Sequence, residues 1–238
     1  MSYFLFNGIS SKDIGLMITK PLIRPSWVRE MEEITLPGSE RKIMQLSKSH
    51  KNANLTVSAV VADATPQAVR DIYAVLSGYG TLVLSSAPDE QMNAYVEPLV
   101  PEAVALEVAE LPINFVCEPF AYAKKPTITV VGTSYTAVTN SGSVAAYPEV
   151  QLTAQTGEIV IDTNATFFKL EIPAELNGKA ITLNCDAQVA YYTDNAGQKV
   201  SINQYTYGDF PVLHPGTNYC AINGTQNTCN FIVRARWY

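Results

Sequence analysis

From Thr127 onward the chain is a series of short runs separated by turn formers, and this punctuation limits its possible folds more than any other feature. The runs are Thr127–Val131, Glu149–Thr153, Glu158–Asp162, Phe167–Ile172, Ile181–Cys185, Lys199–Ile202, Asn218–Ile222 and Asn230–Trp237. Asn140-Ser141-Gly142, Asn177-Gly178 and Asn195-Ala196-Gly197 lie between them. A strand alternates with a period of two and a helix with 3.6, and no run here shows the helical period. Short strands at this spacing predict a β-sandwich. No internal repeat or low-complexity tract interrupts the pattern.

The first half has a different texture. Tyr3 to Phe6 reads as a short strand ending at Asn7-Gly8, and Leu16, Ile18 and Leu22 begin an interrupted second run. Leu55, Val57, Ala59 and Val61 alternate with small or polar residues, as in a half-buried strand. One helix is predicted after Thr65. That residue can cap it, Pro66 suits its first turn, and Gly78 supplies a stop. Val69, Ile72, Tyr73 and Leu76 then form one apolar stripe, which covers a sheet. Thr81 to Ser86 and Val104 to Cys117 return to strand patterns. Pro98, Pro101 and Pro112 place part of this region in loops or at edges. The segment Pro119 to Pro126 reads as a junction, so the domains are expected at 1–124 and 125–238.

Composition narrows the function. The chain has 238 residues, 47% apolar and 16% charged, with 13 Tyr and 8 Phe, which excludes disorder and suits a β-rich protein. A net charge of −6 argues against nucleic acid as a partner, because phosphate binding needs a basic face. The start lacks the basic and apolar segments of a secretory leader, and no apolar run reaches spanning length. The expected origin is a cytoplasm, with no membrane partner.

Catalytic and metal chemistry find little support. Only two histidines exist, and none of the four cysteines forms a CxxC pair, so no metal site is expected. His50 sits in the polar stretch Ser47 to Lys51, read as a loop, and His214 sits in a turn; neither has an evident orienting acid. The acids cannot be paired by spacing, and no phosphate or calcium loop appears. No catalytic residue and no cofactor are expected. Cys220 and Cys229 flank Asn223 to Gln226, which reads as a hairpin loop that would set them opposite each other. Reduced thiols are the favoured reading, since cytoplasmic disulfides are rare. Tyr191, Tyr192, Tyr205, Tyr207 and Trp237 offer rings for stacking on a sugar, with Tyr205 and Tyr207 the candidate glycan contacts. Strand aromatics serve more often as core or cross-strand pairs.

Several local patterns, in order along both halves, resemble the distal tail (Dit) protein family of long-tailed phages. Phe6-Asn7-Gly8 followed by Asp13-Ile14-Gly15-Leu16 is close to the family's start. Ile34-Thr35-Leu36-Pro37-Gly38 matches its Pro-Gly hairpin. Cys117-Glu118-Pro119-Phe120-Ala121-Tyr122 resembles the junction closing its first domain. Gly157 to Thr163 resembles its strand ending in Ile-Asp-Ser/Thr, and Gly208 to Asn218 its Phe-Pro and Pro-Gly signature. Arg234-Ala235-Arg236-Trp237 fits its basic-aromatic end. One departure is Ser39-Glu40-Arg41-Lys42, where the family often has Arg-Asp/Asn-Gly.

The resemblance implies a mainly β chain. Its N-terminal domain would be a sandwich or barrel-like tail-tube-type domain with one α-helix, followed by a C-terminal galectin-like β-sandwich. It implies a structural protein of the virion tail tip that is not an enzyme. That protein forms a homo-hexameric ring, joins the tail-tube protein to a tail-associated hub protein, and anchors receptor-binding proteins. A hairpin acts as a belt in this family. Here the belt would be the charged stretch from Arg29, with Arg29, Glu32, Glu33, Arg41 and Lys42 as the candidate ring-closing residues, its two signs of charge fixing register. Two rivals stand beside this reading: a carbohydrate-binding module or adaptor on a tail adhesion device, and a tail-tube subunit, which would polymerise into filaments.

Overall fold

The computed structural model describes residues 2–38, 40–62, 64–100, 103–105 and 108–238. They form two units, Met1–Tyr122 with Tyr238, and Ala123–Trp237. Among the described residues the fold is mainly β with one α-helix, as expected.

The first unit is built on one antiparallel sheet. Its elements are β1 (Phe4–Phe6), β2 (Ile9–Ser10), β3 (Leu16–Ile18), β4 (Arg29–Thr35), β5 (Lys42–His50), β6 (Ala53–Val61), α1 (Pro66–Val75), β7 (Gly78–Leu84), β8 (Glu90–Val96), β9 (Ala103–Ala105) and β10 (Val108–Ala123). The sheet order is β2-β1-β7-β8-β10-β6-β3, with β9 also on β10. Asn7 (φ 51°) and Gly8 (φ 84°) take the left-handed turn that joins β1 to β2. The apolar phase of the long strands of this sheet faces one core, which gathers Phe4, Phe6, Leu55, Val57, Leu82, Leu111, Ile113 and Phe115. Phe4 meets Phe115 edge-on at 5.3 Å. The helix begins as expected: the Thr65 side chain accepts a hydrogen bond from the Ala68 amide at 3.3 Å, and Pro66 opens the first turn. Its buried Ile72 and Leu76 close the core over the sheet.

Two expectations change here. Pro112 and Pro119 lie inside the sixteen-residue β10, and Pro112 is in register with Ser58 of β6. A proline removes one ladder donor but keeps the backbone extended, so neither one ends the strand. His50 is the last residue of β5, not a loop residue. Its ring packs against Phe120 at 5.2 Å and Tyr238 at 5.3 Å.

The second unit is a two-sheet sandwich. Its strands are β11 (Thr127–Gly132), β12 (Thr136–Asn140), β13 (Glu149–Thr153), β14 (Gly157–Asp162), β15 (Phe167–Ile172), β16 (Ala180–Asn184), β17 (Val189–Thr193), β18 (Lys199–Ser201), β19 (Thr206–Gly208), β20 (Gly216–Gly224) and β21 (Thr228–Val233); the short β22 (Arg236–Trp237) belongs to neither of its sheets. One sheet runs β11-β21-β13-β16-β17-β18 and the other β12-β20-β14-β15-β19. Val150, Leu183 and Phe231 from the first meet Ile159, Ile161 and Phe168 from the second in one core. Fully burying one such side chain is worth about 1.5–3 kcal/mol.

The segment between β19 and β20 is braced by two buried asparagines. Asn218 accepts from the His214 amide at 3.0 Å and donates to the carbonyls of His214 and Gly216 at 2.8 and 3.2 Å. Asn140 donates to the carbonyls of Val144 and Leu213 at 2.9 and 3.1 Å and accepts from the Gly142 amide at 2.9 Å. These bonds satisfy loop backbone that would otherwise be buried unpaired. Phe210 anchors the segment on Phe168, centroids 4.7 Å apart.

The hairpin expected around Asn223 to Gln226 does not form. β20 lies in the five-stranded sheet and β21 in the six-stranded one, so the connection crosses the sandwich. Gly224, at φ 103°, makes the departure, and a Cβ there would strike the carbonyl of Glu158. Cys220 and Cys229 are free, buried thiols contributed by opposite sheets. Burial pushes the pKa of each up to about 12.

Candidate interaction surfaces

The ribbon formed by β4 and β5 is a two-stranded sheet of its own. Its register sets Met31 opposite Leu46, Glu33 opposite Met44 and Thr35 opposite Lys42 on one face, and Ile34 opposite Ile43 and Glu32 opposite Gln45 on the other. Strand alternation normally hides one of two such faces. Here Met31, Ile43, Met44 and Leu46 are all exposed, Met44 by 63% and Leu46 by 61%. An isolated two-stranded ribbon is at best marginally stable in water, and aliphatic side chains on both faces call for a covering surface.

The charged residues expected at this surface are all on the ribbon or its turn. Lys42 pairs with Glu33 at 2.7 Å. Glu30 accepts from the Ser49 hydroxyl at 3.0 Å. Arg29 stands opposite His50 at the root, after which a register shift precedes Met31. Glu32 and Arg41 are exposed. Such an exposed ion pair is worth about 0–1 kcal/mol, so it can set register but cannot hold an interface alone. The aliphatic residues that could do so were not singled out by charge. The signal was present in Ile43, Met44 and Leu46, three large apolar residues in a strand otherwise of Lys, Gln, Ser and His.

A second surface is the outer face of the five-stranded sheet. Its register aligns Ala221 of β20 with Asp162 of β14 and Asp162 with Phe167 of β15, and Tyr135 lies one residue before β12, the strand beside β20. Tyr219 lies two residues from Ala221 on β20, and Tyr207 faces Lys169 across β19 and β15. Four rings stand in solvent on this face: Tyr135 (64%), Phe167 (58%), Tyr219 (53%) and Tyr207 (51%). The Tyr135 hydroxyl donates to Asp162 at 2.5 Å, which raises its pKa. Lys169 bridges Glu158 at 2.7 Å and Glu171 at 3.0 Å, and its ammonium lies 5.7 Å from the Tyr207 ring centre.

Of the aromatics considered for stacking, Tyr207 stands exposed on this face and Tyr205 precedes it on the chain by two residues. Tyr205 packs against the core and lines a shallow hollow of about 370 Å³ with Glu158, Glu171, Ile172 and Pro173. Tyr191 and Tyr192 belong to β17 in the other sheet, and Tyr192 packs inward. Trp237 is half-buried in β22. Sequence reasoning missed Tyr135, Phe167 and Tyr219. Phe167-Phe168 carried a usable signal, because adjacent strand residues point to opposite faces and one of the two must face out. His214 is exposed in its turn. Among the described residues, no group of three or more His, Cys, Asp or Glu could hold a metal, and no helix is long and apolar enough to cross a membrane.

No protein-family model matches the chain, and no curated protein matches it in sequence. Solved structures do. The chain superposes over its full length, and over the full length of the neighbour, on the Dit protein (gp 19.1) of phage SPP1, with a TM-score of 0.78 at 16% identity. That neighbour is described as a paradigm of the hub adsorption apparatus in phages infecting Gram-positive hosts. A chain of the phage p2 baseplate in its activated, strontium-bound conformation matches at a TM-score of 0.50 and 7% identity, covering 98% of each chain. The fold is therefore that of the SPP1 Dit protein, and the resemblance drawn from the short motifs holds at the level of the fold.

Proposed function

We propose that this chain is a structural, non-enzymatic subunit of a phage tail tip, six copies of which close a ring between the tail tube and a tail-associated hub protein. Peripheral or receptor-binding proteins would be anchored to the same ring. Two supports of different kinds meet in this reading. The fold matches a distal tail protein from end to end at a low identity. The chain also carries a ribbon whose aliphatic residues are left exposed on both faces. The ribbon carries the argument, because its exposed aliphatic faces suit a contact with another copy. A closed ring needs two different complementary faces on each protomer, and a projecting element that docks on a neighbour supplies one of them. Met31, Met44 and Leu46 would supply the dry centre of that contact. Arg29, Glu32, Glu33, Arg41 and Lys42 would surround it and set the register.

Light scattering on a sizing column tests the reading. The purified chain should run as a species of six protomers, and Met44→Glu with Leu46→Glu should convert it to a folded monomer. A wild-type chain that stays monomeric at high concentration, or a hexamer indifferent to both substitutions, would remove the ribbon from ring closure. Growth into long filaments would favour a tube subunit instead.

A further inference from the structure

The six-stranded sheet of the second unit is interrupted near its middle. β13 and β21 are in register from Glu149 opposite Ile232 to Gln151 opposite Asn230, and there their pairing stops. Both strands continue. Leu152 and Thr153 stay in register with Ile181 and Ala180 of β16, while Cys229 and Thr228 stay in register with Val131 and Gly132 of β11. The ladder is therefore open on the sides that β13 and β21 turn toward each other. Farther along, the Thr225 hydroxyl donates to the Gln155 carbonyl at 3.2 Å and ties the two segments together again. The gap so enclosed holds a cleft of about 350 Å³.

The cleft is polar and uncharged. Gln151, Thr153, Thr182, Gln226, Thr228 and Asn230 line it, and among the described residues no charged or aromatic one does. Gln226 is 6% exposed. Its Nε2 donates to the Thr228 carbonyl at 2.6 Å, while its Oε1 is enclosed and has no partner among the described residues. Buried amide oxygens nearly always meet a donor. The carboxamide thus fills half the role of a strand's peptide group: it satisfies a carbonyl beside the open ladder and leaves its own acceptor unpaired.

We infer that this cleft receives an extended, uncharged peptide segment of a partner protein, whose main chain takes over from the Gln226 carboxamide. An N–H of the segment donates to the Thr228 carbonyl, and the Gln226 side chain swings out, where its Oε1 gains a donor. A main chain carries a donor and an acceptor at each residue, which is what the open sides of two strands call for. The uncharged lining selects against charged segments, since an ion entering the cleft loses its water and meets no counter-charge. The site does not rest on ring closure, because both walls belong to one sheet of one protomer.

The test is a titration of the deuterated full chain, followed by nuclear magnetic resonance, with a blocked tripeptide of threonine and valine as the probe. The backbone amides of Leu152, Thr153, Thr228 and Asn230 and the side-chain NH2 of Gln226 should shift together. Methylating the central amide nitrogen of the peptide removes its donor and should weaken binding about tenfold. Gln226→Ala removes the group that the peptide must displace and should tighten binding about threefold to tenfold. Asn230→Trp, at an exposed position beside the cleft, should abolish it. The oligomer mass of each variant should equal that of the wild type, which separates this result from any failure of ring closure. Three outcomes would overturn the proposal: no shift of these signals in either the wild type or Gln226→Ala, equal binding of the methylated peptide, or shifts confined to another face. The methylated peptide is read on the wild-type chain, so that arm stands even if a variant fails to fold.

Discussion

Two antiparallel strand pairs in this molecule look alike in sequence and differ completely in circumstance. In β14 and β15, Ile159, Ile161, Phe168, Leu170 and Ile172 occupy alternate positions and are buried in a two-sheet core. In β4 and β5, Met31, Met44 and Leu46 alternate in the same manner and are exposed. Alternation therefore establishes a strand with two distinct faces. Whether the apolar face is buried depends on what the rest of the chain brings against it. For the first pair the chain supplies a second sheet. For the second it supplies none among the described residues, and in the ring proposed above the cover would come from a neighbouring copy.

The largest expected effect sharpens the buried side of this comparison. Phe168→Ala removes a fully buried ring together with its contact to Phe210, and should cost about 3–5 kcal/mol in urea unfolding of the second unit. A loss below 1 kcal/mol would mean that the core is not packed around this ring. An alkaline series comes next. Burial raises the pKa of Cys220 and Cys229 to about 12, from an ordinary value near 9. The folded chain keeps these thiols neutral while the unfolded chain ionises them above its own lower pKa. Their contribution is therefore complete below about pH 8.5 and is lost progressively as pH rises toward 12. Unfolding midpoints should fall across that window, and both thiols should resist alkylation at pH 8 until the chain unfolds. The smallest effect belongs to the ribbon. Met44→Ser and Glu33→Gln should each change monomer stability by no more than about 0.5–1 kcal/mol, because one side chain is already in water and the other forms an exposed ion pair. A larger loss would show the ribbon packed on its own protomer and would break the contrast.

Strand positions were largely legible in the sequence, because alternation is local. Phe167–Ile172 and Glu149–Thr153 lie where the pattern places them. Glu90–Val96 and Thr136–Asn140 escaped notice because Glu90, Gln91 and Asn93 in the first, and Thr and Ala in the second, dilute the apolar phase. Partnership was less legible than position. Cys220 and Cys229 bracket a stretch with hairpin spacing, yet the left-handed turn at Gly224 sends the chain to the opposite sheet, and nothing local distinguishes the two outcomes. The charged part of the ribbon was legible because like and unlike charges stand out in any stretch. Its aliphatic part was not, since an apolar residue in an alternating strand reads as buried by default. The group of exposed rings on the five-stranded sheet was half legible: Tyr207 was singled out, but joining it to Tyr135 and Tyr219 requires the strand order of the sheet.

The pairing of the sandwich's first strands with its last ones has a consequence for how the protein is made. Thr127 of β11 aligns with Val233, and Thr136 of β12 with Cys220. Neither early strand has its ladder partner until nearly the whole unit has been synthesised. During translation they wait as unpaired apolar edges, the kind of segment that associates wrongly with other chains. Such long-range pairing places the unit among slow folders, on a scale of milliseconds to seconds. A ribosome that stops before β21 would release a chain whose first strand has no place to go.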